Sequence, residues 1–286
     1  MNHDRDFTEA QLVAIAQLLV PDWTDDELFS DWTYLEGGYS NDNYAFLQNA
    51  ERFVLRIPRG HPTPAAWHKE LDWYKRLSTE TGLKPIAFSA DTGQMITPWV
   101  SGTLLVDSWK KDQLHPQPSD SVLSRLSLYL KTLHSQLPST DNRYSSSMAV
   151  GNGSHVTCHN DLNPWNIIVT GEDRWVTLDW EWVGLNDPIF DIISLHQGLG
   201  LNGGLLQLCQ DYFGPSASIG SNIDSNTGVN TDPNDLSSRL TIGLQAYWRR
   251  ELTWAENQIA SGNDRHEILA QRETATHKLS SLKDIY

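Results

Sequence analysis

Strand patterns fill the first hundred residues and helical patterns fill most of the rest, so this chain must fold as two unlike parts. Thr8-Glu9-Ala10-Gln11 has the form of a capping box and precedes apolar Leu12, Ile15 and Leu19, which predicts a first helix. Trp32–Leu35 and Tyr44–Leu47 read as strands around a glycine-containing turn, Glu36–Asn43. Arg52–Ile57 alternates as a third strand and must stop at Pro58. Between Ala65 and Leu77, the residues Trp67, Leu71, Tyr74 and Leu77 recur at helical spacing. Two more strands fit Pro85–Ser89 and Met95–Val100 before Ser101-Gly102 breaks the pattern. Beyond it only Ile167–Val169 and Trp175–Leu178 read as strands. The expected class is α+β: a small antiparallel β-rich part over residues 1–99 and a larger, mainly helical part over residues 100–286. Residues 214–237, rich in Ser, Asn, Asp and Gly, form a long connection that reads as a mobile segment or a lid.

Composition narrows the setting. With 39% apolar and 20% charged residues, a chain of 286 residues can bury a substantial core. No run approaches the length of a membrane-spanning helix, and the polar start Met1–Asp6 lacks an apolar signal core. A cytoplasmic setting is expected, with Cys158 and Cys209 as buried reduced thiols. A net charge of −15 argues against nucleic acid and against an anionic membrane face as partners.

The chemistry concentrates between His159 and Asp191. His159-Asn160-Asp161 is followed, after four intervening residues, by Asn166, and Asp179 comes thirteen residues later at the end of an apolar strand. One carboxylate can orient a hydroxyl and accept its proton, which is the role expected of Asp161. A hard divalent cation takes oxygen ligands, which Asn166 and Asp179 supply. This is the spacing of a kinase-type catalytic loop followed by a second metal-binding aspartate.

The strings Cys158–Val169 and Val176–Ile192, with Asp179-Trp180-Glu181-Trp182 inside the second, resemble the choline/ethanolamine kinase and aminoglycoside phosphotransferase superfamily. The resemblance implies a protein-kinase-like two-lobe fold and a small-molecule kinase using ATP and Mg²⁺. It makes Asp161, Asn166 and Asp179 the catalytic residues, with Asn166 and Asp179 holding the metal and Asp191 bracing the loop. Leu35–Asn41 resembles the family's nucleotide loop, so Gly37, Gly38, Ser40 and Asn41 are expected at the phosphates. Arg56 stands where protein kinases have a lysine, with Glu70 as its expected partner. Met95–Val100 corresponds to the interlobe hinge, where Thr97 and Trp99 would meet adenine and Pro98 removes one donor.

The acceptor is expected to be a small cationic alcohol, because tryptophan faces attract ammonium groups and this chain has twelve tryptophans. Trp182 matches a choline-pocket aromatic. Tyr247–Gln258 resembles the family's tryptophan-bearing helix, with Trp254 and Gln258 in place and Glu251 where the first tryptophan is expected. Gly198 replaces a pocket glutamate of eukaryotic choline kinases, and Glu251 is the carboxylate that could stand in for it. A choline- or ethanolamine-type kinase is therefore expected. A thiamine kinase or an aminoglycoside phosphotransferase are alternatives of the same class. A catalytically silent nucleotide-binding regulator is the alternative of another class, based on Arg56 in the lysine position.

Overall fold

The structure, a computed structural model, describes residues 7–36, 40–59, 64–79, 81–112, 118–141, 155–171, 174–214 and 235–283. The chain divides into two compact units: Met1–Thr103 with Ile167–Glu181, and Leu104–Asn166 with Trp182–Tyr286. Gly37 and Gly38 of the expected nucleotide loop, and nearly all of the 214–237 segment, lie outside the described residues.

In the first unit, α1 (Glu9–Leu19) begins where the sequence places it. Thr8 accepts from the N–H of Gln11, and the Gln11 side chain accepts from the Thr8 N–H in return. The strands β1 (Phe29–Leu35), β2 (Asn41–Gln48), β3 (Glu51–Pro58), β4 (Ala87–Phe88) and β5 (Met95–Pro98) make an antiparallel sheet in the order β1-β2-β3-β5-β4. Side chains alternate across a sheet. Phe46, Phe53, Leu55, Ile57 and Ile96 therefore share one face and form a core with Leu12 and Ala16 of α1. Helix α2 (Pro64–Arg76) buries Trp67, Glu70, Trp73 and Tyr74. A hairpin of β8 (Ile167–Val169) and β9 (Trp175–Thr177) joins this unit because Leu83 donates to the Thr177 carbonyl at 3.3 Å and Trp180 packs against Trp73.

The second unit is mainly helical. It contains α3 (Leu105–Asp112), α4 (Asp120–Gln136), α5 (Ile189–Gly198), α6 (Leu205–Phe213), α7 (Leu236–Ala260) and α8 (His266–Lys283). Helix α5 is its centre: every residue from Ile189 to His196 is buried, the polar Asp191, Ser194 and His196 included. The structure adds strands that the sequence patterns do not show. β7 (Val156–Cys158) pairs with β10 (Gly184–Asn186), and a two-residue β6 spans Thr103–Leu104. Three residues are too few for an alternation to register. No helix among the described residues is long and apolar enough to cross a membrane, and both cysteines are free and buried.

Candidate active site

Arg56 lies on the sheet face opposite α1, because its neighbours Leu55 and Ile57 point into the core. Strand register carries the same face to Asn41 and Asn43 on β2 and to Met95 and Thr97 on β5. Arg56 is 7% exposed and Glu70 1%. Its two terminal nitrogens donate to the two oxygens of Glu70 at 2.9 and 2.8 Å, a bidentate pair between β3 and α2. The same guanidinium reaches Oδ1 of Asp179 at 3.4 Å and the carbonyl of Gly93 at 3.3 Å. Burial opposes its charge, but the Glu70 carboxylate more than compensates, and the group titrates above the usual arginine range. Gly93 has φ +68°, and a Cβ there would collide with the Trp67 indole, so only glycine lets this turn close on α2.

Asp179 is fixed from both sides. Its φ is +58°, rare for a residue with a side chain, and the following Trp180 is fully buried with its ring centroid 6.2 Å from that of Trp73. Three of the expected site residues, Arg56, Glu70 and Asp179, thus meet in the first unit. Thr97 is buried on β5, in register with Val54. Trp99 spends its backbone N–H on the Arg52 carbonyl at 3.0 Å, and the Arg52 guanidinium lies 5.0 Å over its ring. With Pro98 lacking a donor, neither position has an N–H to offer adenine. Ser40 is exposed, and its carbonyl accepts from the Arg59 N–H at 2.9 Å. The Arg59 guanidinium in turn holds Asp42 and Tyr34, which fastens the end of the loop where Asn41 opens β2.

In the second unit, hydrogen bonds shape the loop after β7. Asn160 has φ +65° and is buried. Its amide nitrogen donates to the carbonyls of Cys158, Trp182 and Gly184 at 3.1–3.2 Å, and its oxygen accepts from Asn186 at 2.8 Å. Asp191 accepts the backbone N–H groups of His159 and Asn160, both at 2.8 Å. It also meets Nε2 of His134 on α4 at 3.0 Å, and Nδ1 of that ring meets the Tyr212 hydroxyl at 2.7 Å. His134, Cys158 and Asp191 come close enough together to resemble a metal cluster. Both imidazole nitrogens and both carboxylate oxygens are already engaged, so the group is a brace. Nearby, Asp187 takes a bidentate pair from Arg239 on α7 at 2.8 and 2.7 Å.

Burial alone would raise the Asp191 carboxyl, but His134 and His159 hold it below the usual value of 3.8. Its stabilisation is therefore complete above that pH and is lost as pH falls through the lower folded value. An Asp191→Asn variant is expected to lose about 2–4 kcal/mol at neutral pH, with an amide nitrogen now facing a donor. Denaturant melts of both proteins should show the gap constant near neutrality and shrinking only in strong acid.

Asp161 is held through its backbone and through both carboxylate oxygens. Its N–H donates to Nδ1 of His159 at 3.2 Å, and its Oδ2 accepts from Nδ2 of Asn166 at 3.1 Å. Its Oδ1 lies 3.3 Å from Nη1 of Arg250. Burial lifts its carboxyl above the ordinary aspartate value, and Arg250 and His159 only partly offset this. Asn166 also donates to the Asp161 carbonyl at 3.0 Å, so both of these bonds leave from nitrogen and its amide oxygen takes part in neither. Trp182 is 48% exposed, and its carbonyl is tied to Asn160. Trp254 is half-buried on α7, one turn beyond Arg250, while Gln258 accepts from Asn263 at the end of that helix. A Cβ at Gly198 would collide with Pro164 of the loop.

Residues 31–152 and 141–208 match the phosphotransferase enzyme family, over more than half of the chain. This chain belongs to that family. Protein LicA of Haemophilus influenzae is 53% identical to this phosphotransferase over 38 residues, 13% of this chain, and the match spans 14% of that protein's length. Among solved structures, choline kinase LicA from Streptococcus pneumoniae superposes with a TM-score of 0.66 at 15% identity, covering 94% of this chain and 99% of the other. A choline/ethanolamine kinase family protein from Mesorhizobium loti gives a TM-score of 0.59 at 17% identity, covering 96% and 94%. At such identities the likeness is one of fold, and the phosphotransferase has the two-lobe, kinase-like α+β architecture expected from its sequence. Arg250 and His134 were not singled out in the sequence. The carboxylates Asp161 and Asp191 that they meet lie 89 and 57 residues away in the chain, so no local pattern marks those contacts.

Proposed function

We propose that this phosphotransferase moves the γ-phosphoryl group of ATP to the hydroxyl of a small amino alcohol, as choline and ethanolamine kinases do. The observation that carries the reading is the Asp161 carboxylate, fixed by Asn166 on a loop that Asp191 clamps through two backbone N–H groups. In the reaction the bond from Pγ to the β,γ-bridging oxygen breaks, a bond to the acceptor oxygen forms, and the hydroxyl proton passes to Asp161. Arg56, paired with Glu70, would steady phosphate oxygens. Asn41 and Ser40 would border them, with Gly37 and Gly38 completing the loop. Thr97 and the backbone beyond Trp99 would meet adenine.

Asn166 and Asp179 are the residues that would hold Mg²⁺, each by oxygen-donor chemistry: Asn166 uses its nitrogen on Asp161, which leaves its amide oxygen, and Asp179 is a carboxylate. When bound, the ion supplies positive charge to the phosphates. Trp182 and Trp254 are the aromatic surfaces assigned to the acceptor's cationic end. A cytoplasmic setting accords with two free buried thiols.

The test is a panel of choline, ethanolamine, thiamine and an aminoglycoside with purified protein and Mg-ATP, read by ADP release and by the mass of the acceptor. Phosphocholine or phosphoethanolamine is the expected product. Phosphorylation of thiamine or the aminoglycoside alone would replace the acceptor. ATP binding without turnover of any of them would overturn the reading in favour of a silent nucleotide binder.

A further inference from the structure

Glu251 stands on α7 where a ligand-binding carboxylate is expected, yet both of its oxygens are taken. Oε1 accepts from Nε and Nη2 of Arg250 at 3.1 and 2.8 Å, and Oε2 accepts from Nε2 of Gln271 on α8 at 2.8 Å. Arg250 in turn donates through Nη1 to the Asn160 carbonyl at 2.6 Å and faces Oδ1 of Asp161 at 3.3 Å. Its guanidinium is held over the rings of Phe190 and Tyr247, 5.2 and 5.3 Å from their centroids. Fixed contacts therefore run from α8 through Glu251 and Arg250 to the catalytic carboxylate.

We propose that Arg250 is a positioning residue for Asp161, and that Glu251 and Gln271 serve to fix Arg250 rather than to contact the acceptor. The proposal rests on the phosphoryl-transfer reading above. Asn166 holds one oxygen of Asp161 and Arg250 the other, which stops the carboxylate from turning and leaves it aimed at a hydroxyl. A planar guanidinium can serve the Asn160 carbonyl, Asp161 and Glu251 at once, whereas an ammonium is a single point of charge.

The test uses the full-length enzyme with Arg250→Met, Arg250→Lys, Glu251→Gln and Gln271→Ala, in steady-state kinetics against the acceptor it phosphorylates. Arg250→Met should lower kcat by about 100-fold, the scale of a misplacement of about 1 Å. KM for nucleotide and acceptor should stay within about twofold, since the contact touches neither ligand. Arg250→Lys should recover part of the rate, and Glu251→Gln should fall between it and wild type. A wild-type kcat in Arg250→Met would overturn the proposal. So would a raised acceptor KM at unchanged kcat in Glu251→Gln, which would return Glu251 to the acceptor site. If Arg250→Met does not fold, Glu251→Gln and Gln271→Ala decide by the same split. If wild type phosphorylates no alcohol, the phosphoryl-transfer reading fails, and a crystal structure of Glu251→Gln tests the positioning of Asp161 separately. Asp161 turned away from Asn166 supports positioning, and Asp161 unmoved overturns it.

Discussion

Replacing Asp161 by alanine is expected to cut turnover by about 10²–10⁴-fold while leaving nucleotide binding intact. The carboxylate belongs to the loop after β7, and Asn166 and Arg250 are among its side-chain partners. Removing it does not disturb the clamp of Asp191 on the His159 and Asn160 N–H groups. Arg250 keeps Glu251 and the Asn160 carbonyl, so no buried charge is stranded. The fold should survive, and the loss should appear in kcat. Asp161→Asn is the sharper control, because an amide keeps the shape but cannot take a proton. Calorimetric titration with ATP analogue and a coupled ADP assay separate the two quantities. Wild-type turnover in either variant would remove Asp161 from the catalytic role.

The second large effect is at Arg56. Arg56→Ala leaves Glu70, 1% exposed, as an unpaired buried carboxylate, and breaking a buried pair from one side costs about 3–5 kcal/mol. The variant should melt early in urea and bind nucleotide weakly, but those two losses would be entangled. The double variant Arg56→Met with Glu70→Leu separates them, because replacing both partners with apolar groups is nearly neutral for stability. That protein should regain most of its resistance to urea and still fail to bind ATP. If the double variant binds ATP normally, Arg56 is structural and has no part in holding phosphate. Arg56→Lys should keep the charge but give up the two-point contact with Glu70 and the reach to Asp179.

Local chemistry made much of this fold legible. The Thr8–Gln11 capping box starts α1, Pro58 closes β3, and the Trp67–Tyr74 spacing gives α2 within a residue at either end. The loop proposed to carry the chemistry could be singled out because its members lie close together in the chain. What was not readable depends on contacts between distant residues. The pairing of β7 with β10 joins residues nearly thirty apart in the chain, beside a hydrogen bond from the Asn186 amide nitrogen to the Asn160 side-chain oxygen, and no periodicity announces either. The use of the Trp99 N–H by Arg52 follows from strand register. The engagement of Glu251 depends on a neighbour in sequence and on Gln271 of another helix, and a carboxylate in sequence does not reveal whether it is occupied.

Gly198 has a practical consequence for anyone wishing to change what this enzyme accepts. The end of α5 lies so close to Pro164 that even a methyl group there must push on the segment between Asp161 and Asn166. Grafting a relative's acidic side chain at this position would displace Pro164 and the loop proposed to carry the chemistry before it could recruit a new ligand. Acceptor redesign should leave this position as glycine and test changes first at the two aromatic residues proposed for the acceptor, Trp182, which is exposed, and Trp254, which is half-buried.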